Sequence, residues 1–159
     1  MKKIFFLAFL LITFIITAFP QSNSRLLGLW KNGGKSFLLE TGGKGTEIFD
    51  HKTSITDKCD CNISTKFPFK WFVSHDTIFT TYDIENFSLK VSASAKPGVV
   101  ANIKEIESAN SLCLTPVQYV FTKDKSEYNK TPNRRWKFSI VGKDLMFGNV
   151  KYTKEEIIH

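Results

Sequence analysis

Short runs in which large apolar and polar side chains alternate constrain this chain's fold more than any other feature. Phe67, Phe69, Trp71 and Val73 alternate with Pro68, Lys70, Phe72 and Ser74. Phe87, Leu89 and Val91 alternate with Ser88, Lys90 and Ser92, and Trp136, Phe138 and Ile140 with Lys137, Ser139 and Val141. Val150 and Tyr152 flank Lys151 in the same way. A period of two sets one side of a strand in a core and the other in water. Turn-forming residues fall between the runs: Asn32-Gly33-Gly34, Gly42-Gly43-Lys44-Gly45, Ser74-His75-Asp76, Pro97-Gly98, Ser108-Ala109-Asn110 and Gly142-Lys143-Asp144. No segment carries an amphipathic helical pattern longer than about two turns. The expectation is therefore all-β, with about eight to ten short strands in an antiparallel up-and-down meander closed into a barrel, which removes exposed edges. A sandwich is the alternative. The polar stretches His51 to Thr65 and Lys123 to Asn133 are expected to be surface loops.

The N-terminus sets the compartment. Met1-Lys2-Lys3 is basic and Ile4 to Phe19 is uncharged, the layout of a secretory signal peptide. That apolar run is about sixteen residues, short of the roughly 20 that a spanning helix needs. Residues 1–20 are therefore read as a signal peptide cleaved somewhere in 18–24, with no stable membrane span afterwards. Residues 21–159 form one domain, secreted or periplasmic. The net charge of +7 falls to about +5 once Lys2 and Lys3 leave. The remaining lysines are scattered and show no basic stripe with interleaved aromatics, so no nucleic-acid partner is expected.

Three cysteines, Cys59, Cys61 and Cys113, enter an oxidising compartment, where thiols pair. Cys59 and Cys61 are expected to face opposite sides of their segment, so that only one reaches Cys113. With Leu112 and Leu114 toward the core, Cys113 faces outward and the bridge ties the 51–65 loop to the barrel exterior. Cys-x-Cys is not the usual zinc spacing, and no metal site is assigned to these cysteines with His51 or His75. His75 and His159 are expected to be exposed. No Gly-x-Ser-x-Gly elbow and no His-Glu-x-x-His motif is present, so the chain is read as non-catalytic and without a cofactor.

Leu27-Gly28-Leu29-Trp30-Lys31, followed by a Gly-rich turn and Gly45-Thr46-Glu47-Ile48-Phe49, resembles the opening of lipocalin-like (calycin-type) domains, which begin with Gly-x-Trp on the first strand. The resemblance implies a barrel of about eight antiparallel strands, closed at one end and open at the other. It also implies that Trp30 packs at the closed end, with a late arginine, Arg134 or Arg135, across its face.

Phe67, Phe69, Trp71, Phe87, Tyr119, Phe121, Trp136, Phe138 and Phe147 are expected on strands, either lining a cavity or filling the barrel, since an eight-strand interior permits both. The leading reading is an exported barrel that binds a small apolar or amphipathic ligand, with Phe69, Trp71, Phe87 and Phe138 as wall residues. The alternative is a secreted or cell-surface protein-interaction module with a filled barrel and functional loops. Edman sequencing of the exported protein is expected to give a first residue just beyond a cut in 18–24. A membrane-bound chain that still begins at Met1 would overturn the signal assignment.

Overall fold

A computed structural model describes residues 24–155, without the side chains of residues 114–116, 118–121 and 124. The signal peptide and His159 lie outside the described residues. Nine antiparallel strands run in chain order: β1 (Gly28–Asn32), β2 (Lys35–Leu39), β3 (Lys44–Ser54), β4 (Cys59–Ser74), β5 (Thr77–Tyr82), β6 (Ser88–Ala95), β7 (Asn133–Val141), β8 (Asp144–Phe147) and β9 (Val150–Glu155). Two helices, α1 (Ile103–Leu112) and α2 (Leu114–Lys130), lie between β6 and β7. Eight of the strands close a ring, β3-β2-β1-β9-β8-β7-β5-β4, shut by pairing of β3 with β4. The all-β barrel expected from the alternation is thus the observed architecture.

The alternation works as physics requires. Inward positions 67, 69 and 71 of β4 are buried while Phe72, next to Trp71 on the opposite face, is exposed. The turns between β1 and β2, β4 and β5, and β7 and β8 sit where the glycine and Ser-His-Asp signals lie. The His75 turn needs a positive φ, here 56° at a non-glycine residue. The 51–65 segment corrects the loop expectation. β3 and β4 pair without interruption from Lys44↔Lys70 to Ser54↔Asp60, forming a hairpin that overhangs the ring. Its outer residues are polar because one face meets water, and the periodicity survives only on the inner face, where Cys61, Ile63 and Thr65 are buried. β6 pairs with this overhang from Cys59↔Ala95 to Lys66↔Ser88.

The helices correct a second expectation. Ser108-Ala109-Asn110 is helical, and so is Lys123 to Lys130. α1 escaped detection because it has no apolar stripe: among its residues only Ala109 is buried, while Ile103 and Leu112 face water. Its start is fixed locally by a capping box, in which the Glu105 N–H donates to Asn102 Oδ1 at 3.0 Å and the Asn102 N–H donates to Glu105 Oε2 at 2.8 Å. Lys58 Nζ reaches Glu105 Oε1 at 2.7 Å, and Asn110 Oδ1 accepts the Ala93 N–H of β6 at 2.6 Å. α2 carries β-branched and aromatic residues in its first half, which read as strand by propensity. Tyr119 and Phe121 are thus helical, and Pro116 sits in the first turn, where its missing N–H costs little.

Cys61 and Cys113 form the disulfide, with Cα atoms 5.7 Å apart and a sequence separation of 52. Cys59 is free and buried. The expectation of opposite faces for an extended segment is corrected by strand parity itself: residues two apart on a strand share a face, and both cysteines are buried. Cys113 is buried at the junction of α1 and α2 beside Ile63, Leu89, Ala93 and Val117. The bridge therefore ties the overhang to the helices, not a loop to the barrel exterior. A loop of this length stabilises by about 4 kcal/mol in the chain-entropy view. The double variant Cys61→Ser/Cys113→Ser is expected to lose about 2–4 kcal/mol of unfolding free energy in urea titrations. Peptide mapping without reductant that finds a Cys59–Cys113 link would overturn this pairing.

Candidate functional site

The two ends of the barrel differ. At one end the short helical turn Ser24–Leu26 crosses beneath the ring. Trp30 Nε1 donates to the Leu26 carbonyl at 2.7 Å, and both residues are fully buried. The cation over the Trp30 ring is not Arg134 or Arg135 but Lys154 of the last strand, with Nζ 5.4 Å from the ring. Arg135 points outward by strand parity, and Arg134 sits at the opposite end of β7. A shallow cleft of about 600 Å³ beside Trp30 is lined by Arg25, Gly28, Ile140, Lys143 and Lys154 among others.

The middle of the barrel is packed with rings. Phe37 makes edge contacts with Phe69 (6.4 Å between centroids), Trp136 (5.8 Å), Phe147 (5.6 Å) and Tyr152 (5.3 Å). Gly45 makes room for this layer, since a Cβ there would lie 2.5 Å from the Phe69 ring. Of the four wall residues expected from sequence, Phe69 and Trp71 are buried in this core and Phe138 packs partly buried against it. Trp71 Nε1 donates to the Lys44 carbonyl at 2.7 Å. Phe87 departs from the strand expectation: it precedes β6 and lies at the other end of the core, 5.9 Å from Phe67 with Lys125 Nζ 5.4 Å from its ring. None of the four lines the cleft beside Trp30 or the clefts at Glu105, Lys125 and His51.

Charge enters the interior at the helix-covered end. Glu47 of β3 is completely buried, because inward parity runs Gly45, Glu47, Phe49. Lys35 Nζ of β2 lies 2.6 Å from its Oε1. The hydroxyls of Tyr82 (β5) and Tyr128 (α2) both donate to its Oε2, the latter at 2.5 Å. The Lys35 ammonium also sits 5.0 Å from the Phe37 ring and 5.2 Å from the Phe49 ring. Arg134 extends over Tyr128 (4.1 Å) and Tyr82 (5.3 Å). Two β-strand cations, one carboxylate and two phenols thus converge just beneath α2. Thr65, on the same inner face and paired across from Phe49, is fully buried, and its hydroxyl has no partner among the described residues.

Burial, then the charge of Glu47, pushes the Tyr82 phenol well above its ordinary value. The same two causes push Tyr152 up to about 12. No protein-family model matches the chain, and no curated protein or solved structure matches it.

Sequence reasoning missed Glu47, Lys35, Tyr82 and Tyr128. A signal existed for Glu47 in the parity of Gly45-Thr46-Glu47-Ile48-Phe49, which places a carboxylate inward. None existed for Tyr128, whose helix was not legible. Among the described residues no group of three or more histidine, cysteine or acidic side chains is placed to hold a metal ion.

The raised phenols carry a pH signature. Below pH 10 both are protonated in the folded and the unfolded chain, so their contribution to stability is fully present. Above pH 10.0 the unfolded chain releases protons that the folded chain keeps, and for Tyr152 the contribution is lost as pH rises toward about 12. Urea midpoints at about pH 9 and about pH 11 are expected to fall steeply between the two, and less steeply in Tyr152→Phe. Equal slopes in the two proteins would contradict the assignment.

Proposed function

We propose that this chain is an exported barrel that binds one small amphipathic molecule without converting it, at the end covered by α2. The observation that carries the reading is the buried Glu47, with polar partners on β2, β5 and α2, inside an otherwise aromatic interior. Ligand sites are mostly apolar with a few convergent polar groups that fix orientation, and this end has that composition. The ring-filled centre moves the site from mid-barrel to the mouth. Export is supported by the basic-then-apolar N-terminus and by the Cys61–Cys113 bridge, which suits an oxidising compartment. Among the described residues no helix is long and apolar enough to cross a membrane.

A second reading, a protein-interaction module with a filled barrel, is favoured by a different observation. Val100, Ile103 and Leu112 are exposed on and just before α1, beside the disulfide-bonded overhang. Apolar exposure of this kind suits a protein partner.

Native mass spectrometry of the protein from its own host, together with titration by anilinonaphthalene sulfonate, separates the two. The ligand reading predicts a discrete excess mass lost on denaturation, and saturable uptake of one probe molecule. Glu47→Gln is expected to strengthen uptake of this anionic probe about tenfold by removing the negative charge at the site. A bare polypeptide mass with no probe uptake would overturn the reading in favour of a protein partner.

A further inference from the structure

We infer that the mouth of the barrel is a phenol-binding site in which the chain's own Tyr128 is the resident occupant. The inference rests on the small-molecule reading above and names the ligand class. Tyr128 is held as a ligand is held. Its ring stacks on Phe67 at 4.2 Å and 17°, and the Arg134 guanidinium lies 4.1 Å from the same centroid. Two groups this close to one ring cannot share a face, so the phenol is sandwiched between an aromatic plane and a cation. Tyr82 at 4.7 Å and Phe49 at 6.0 Å close its edges. Its hydroxyl ends on the buried carboxylate of Glu47.

The pocket walls and the occupant belong to different kinds of structure. Phe49, Glu47, Phe67, Tyr82 and Arg134 sit on strands locked by the barrel's hydrogen-bond ladders. Tyr128 arrives on α2, outside those ladders. In the last two turns of that helix Thr122, Lys123, Ser126, Glu127, Asn129 and Lys130 are exposed and Lys125 is half-buried. Among the described side chains of these turns, Tyr128 alone is fully buried. Withdrawing one phenol therefore empties the site while leaving the ring of strands intact.

What the emptied site selects follows from its groups. A flat ring fits between Phe67 and Arg134, and a hydroxyl donor meets Glu47 Oε2 beside the Tyr82 hydroxyl. A carboxylate or phosphate is disfavoured at that end by Glu47. A second polar group on the ring has the orphaned Thr65 hydroxyl within the same inner face. The ligand class is a neutral phenol, and α2 is a lid that swings out as the ligand enters.

The test is p-cresol, the side chain of tyrosine as a free molecule, titrated into the disulfide-intact wild-type protein and followed by NMR of the Tyr128 ring. Saturable binding with displacement of the Tyr128 resonances is expected. Tyr128→Ala, which removes the competitor, is expected to bind p-cresol at least about tenfold tighter, and to prefer it about tenfold over toluene, because toluene does not replace the hydroxyl donor that Tyr128 supplies to Glu47 Oε2. Wild type that ignores p-cresol up to its solubility limit would overturn the inference, and would do so even if Tyr128→Ala failed to fold. So would equal affinity of Tyr128→Ala for toluene. Uptake of anilinonaphthalene sulfonate without p-cresol binding would leave the small-molecule reading standing and sink this one alone. Loss of both would sink both.

Discussion

A carboxylate buried to zero exposure is the costliest group in this structure, and the helix-covered end is organised around it. The effective penalty for withdrawing such an ion from water is several kcal/mol. Lys35 offsets it by charge, and the Tyr82 and Tyr128 hydroxyls offset it by donation. Those partners come from β2, β5 and α2, so satisfying one side chain sets the relative position of three elements. The arrangement is not what stability alone would choose. A buried ion pair exchanged for well-packed apolar side chains is often neutral or stabilising, and the barrel already supplies such packing one layer below, around Phe37. The polar cluster at the rim of this aromatic core is the observation on which the proposed ligand-binding role rests.

The same core explains why the rest of the interior is unavailable. Eight strands enclose just enough space for side chains. Here the filling is aromatic, with Gly45 omitting a side chain so that Phe69 can enter. Trp30 and Leu26 seal one end, and Lys154 covers the tryptophan. At the other end Glu47 and Arg134 interrupt the apolar packing with charged groups.

The ring was legible in the sequence and the excursion from it was not. Phe67, Phe69 and Trp71 announce β4 because each inward residue is large and its outward neighbours differ in kind. The glycine turns announce the hairpins. The overhang of β3 and β4 did not announce itself, since His51 to Ser54 face water on nearly every position and read as loop. α1 is stabilised by its Asn102–Glu105 cap and by contacts to Lys58 and β6, none of which leaves an apolar period. α2 contradicts its own β-prone residues because its ends are set from outside: Cys113 is bridged to β4, and Pro132, just past its C-terminus, accepts the Tyr82 N–H through its carbonyl at 2.9 Å. Alternation reports that Phe69, Trp71 and Phe138 turn inward and is silent about what an inward residue meets.

The disulfide takes its meaning from this excursion. After β5 the chain leaves the ring, and it rejoins at β7 about fifty residues later, having paired β6 to the overhang and formed both helices. Without a covalent stop, α2 would be attached firmly only at its β7 end. The Cys61–Cys113 bridge fixes the other end to β4, the strand that also carries Phe67. Tyr128 is therefore presented to its slot by a helix tethered at both ends to the walls of that slot. Such tethering keeps the phenol at high effective concentration and confines its movement to a short swing. It also limits how far the lid opens, so any molecule that replaces Tyr128 must be close to it in size.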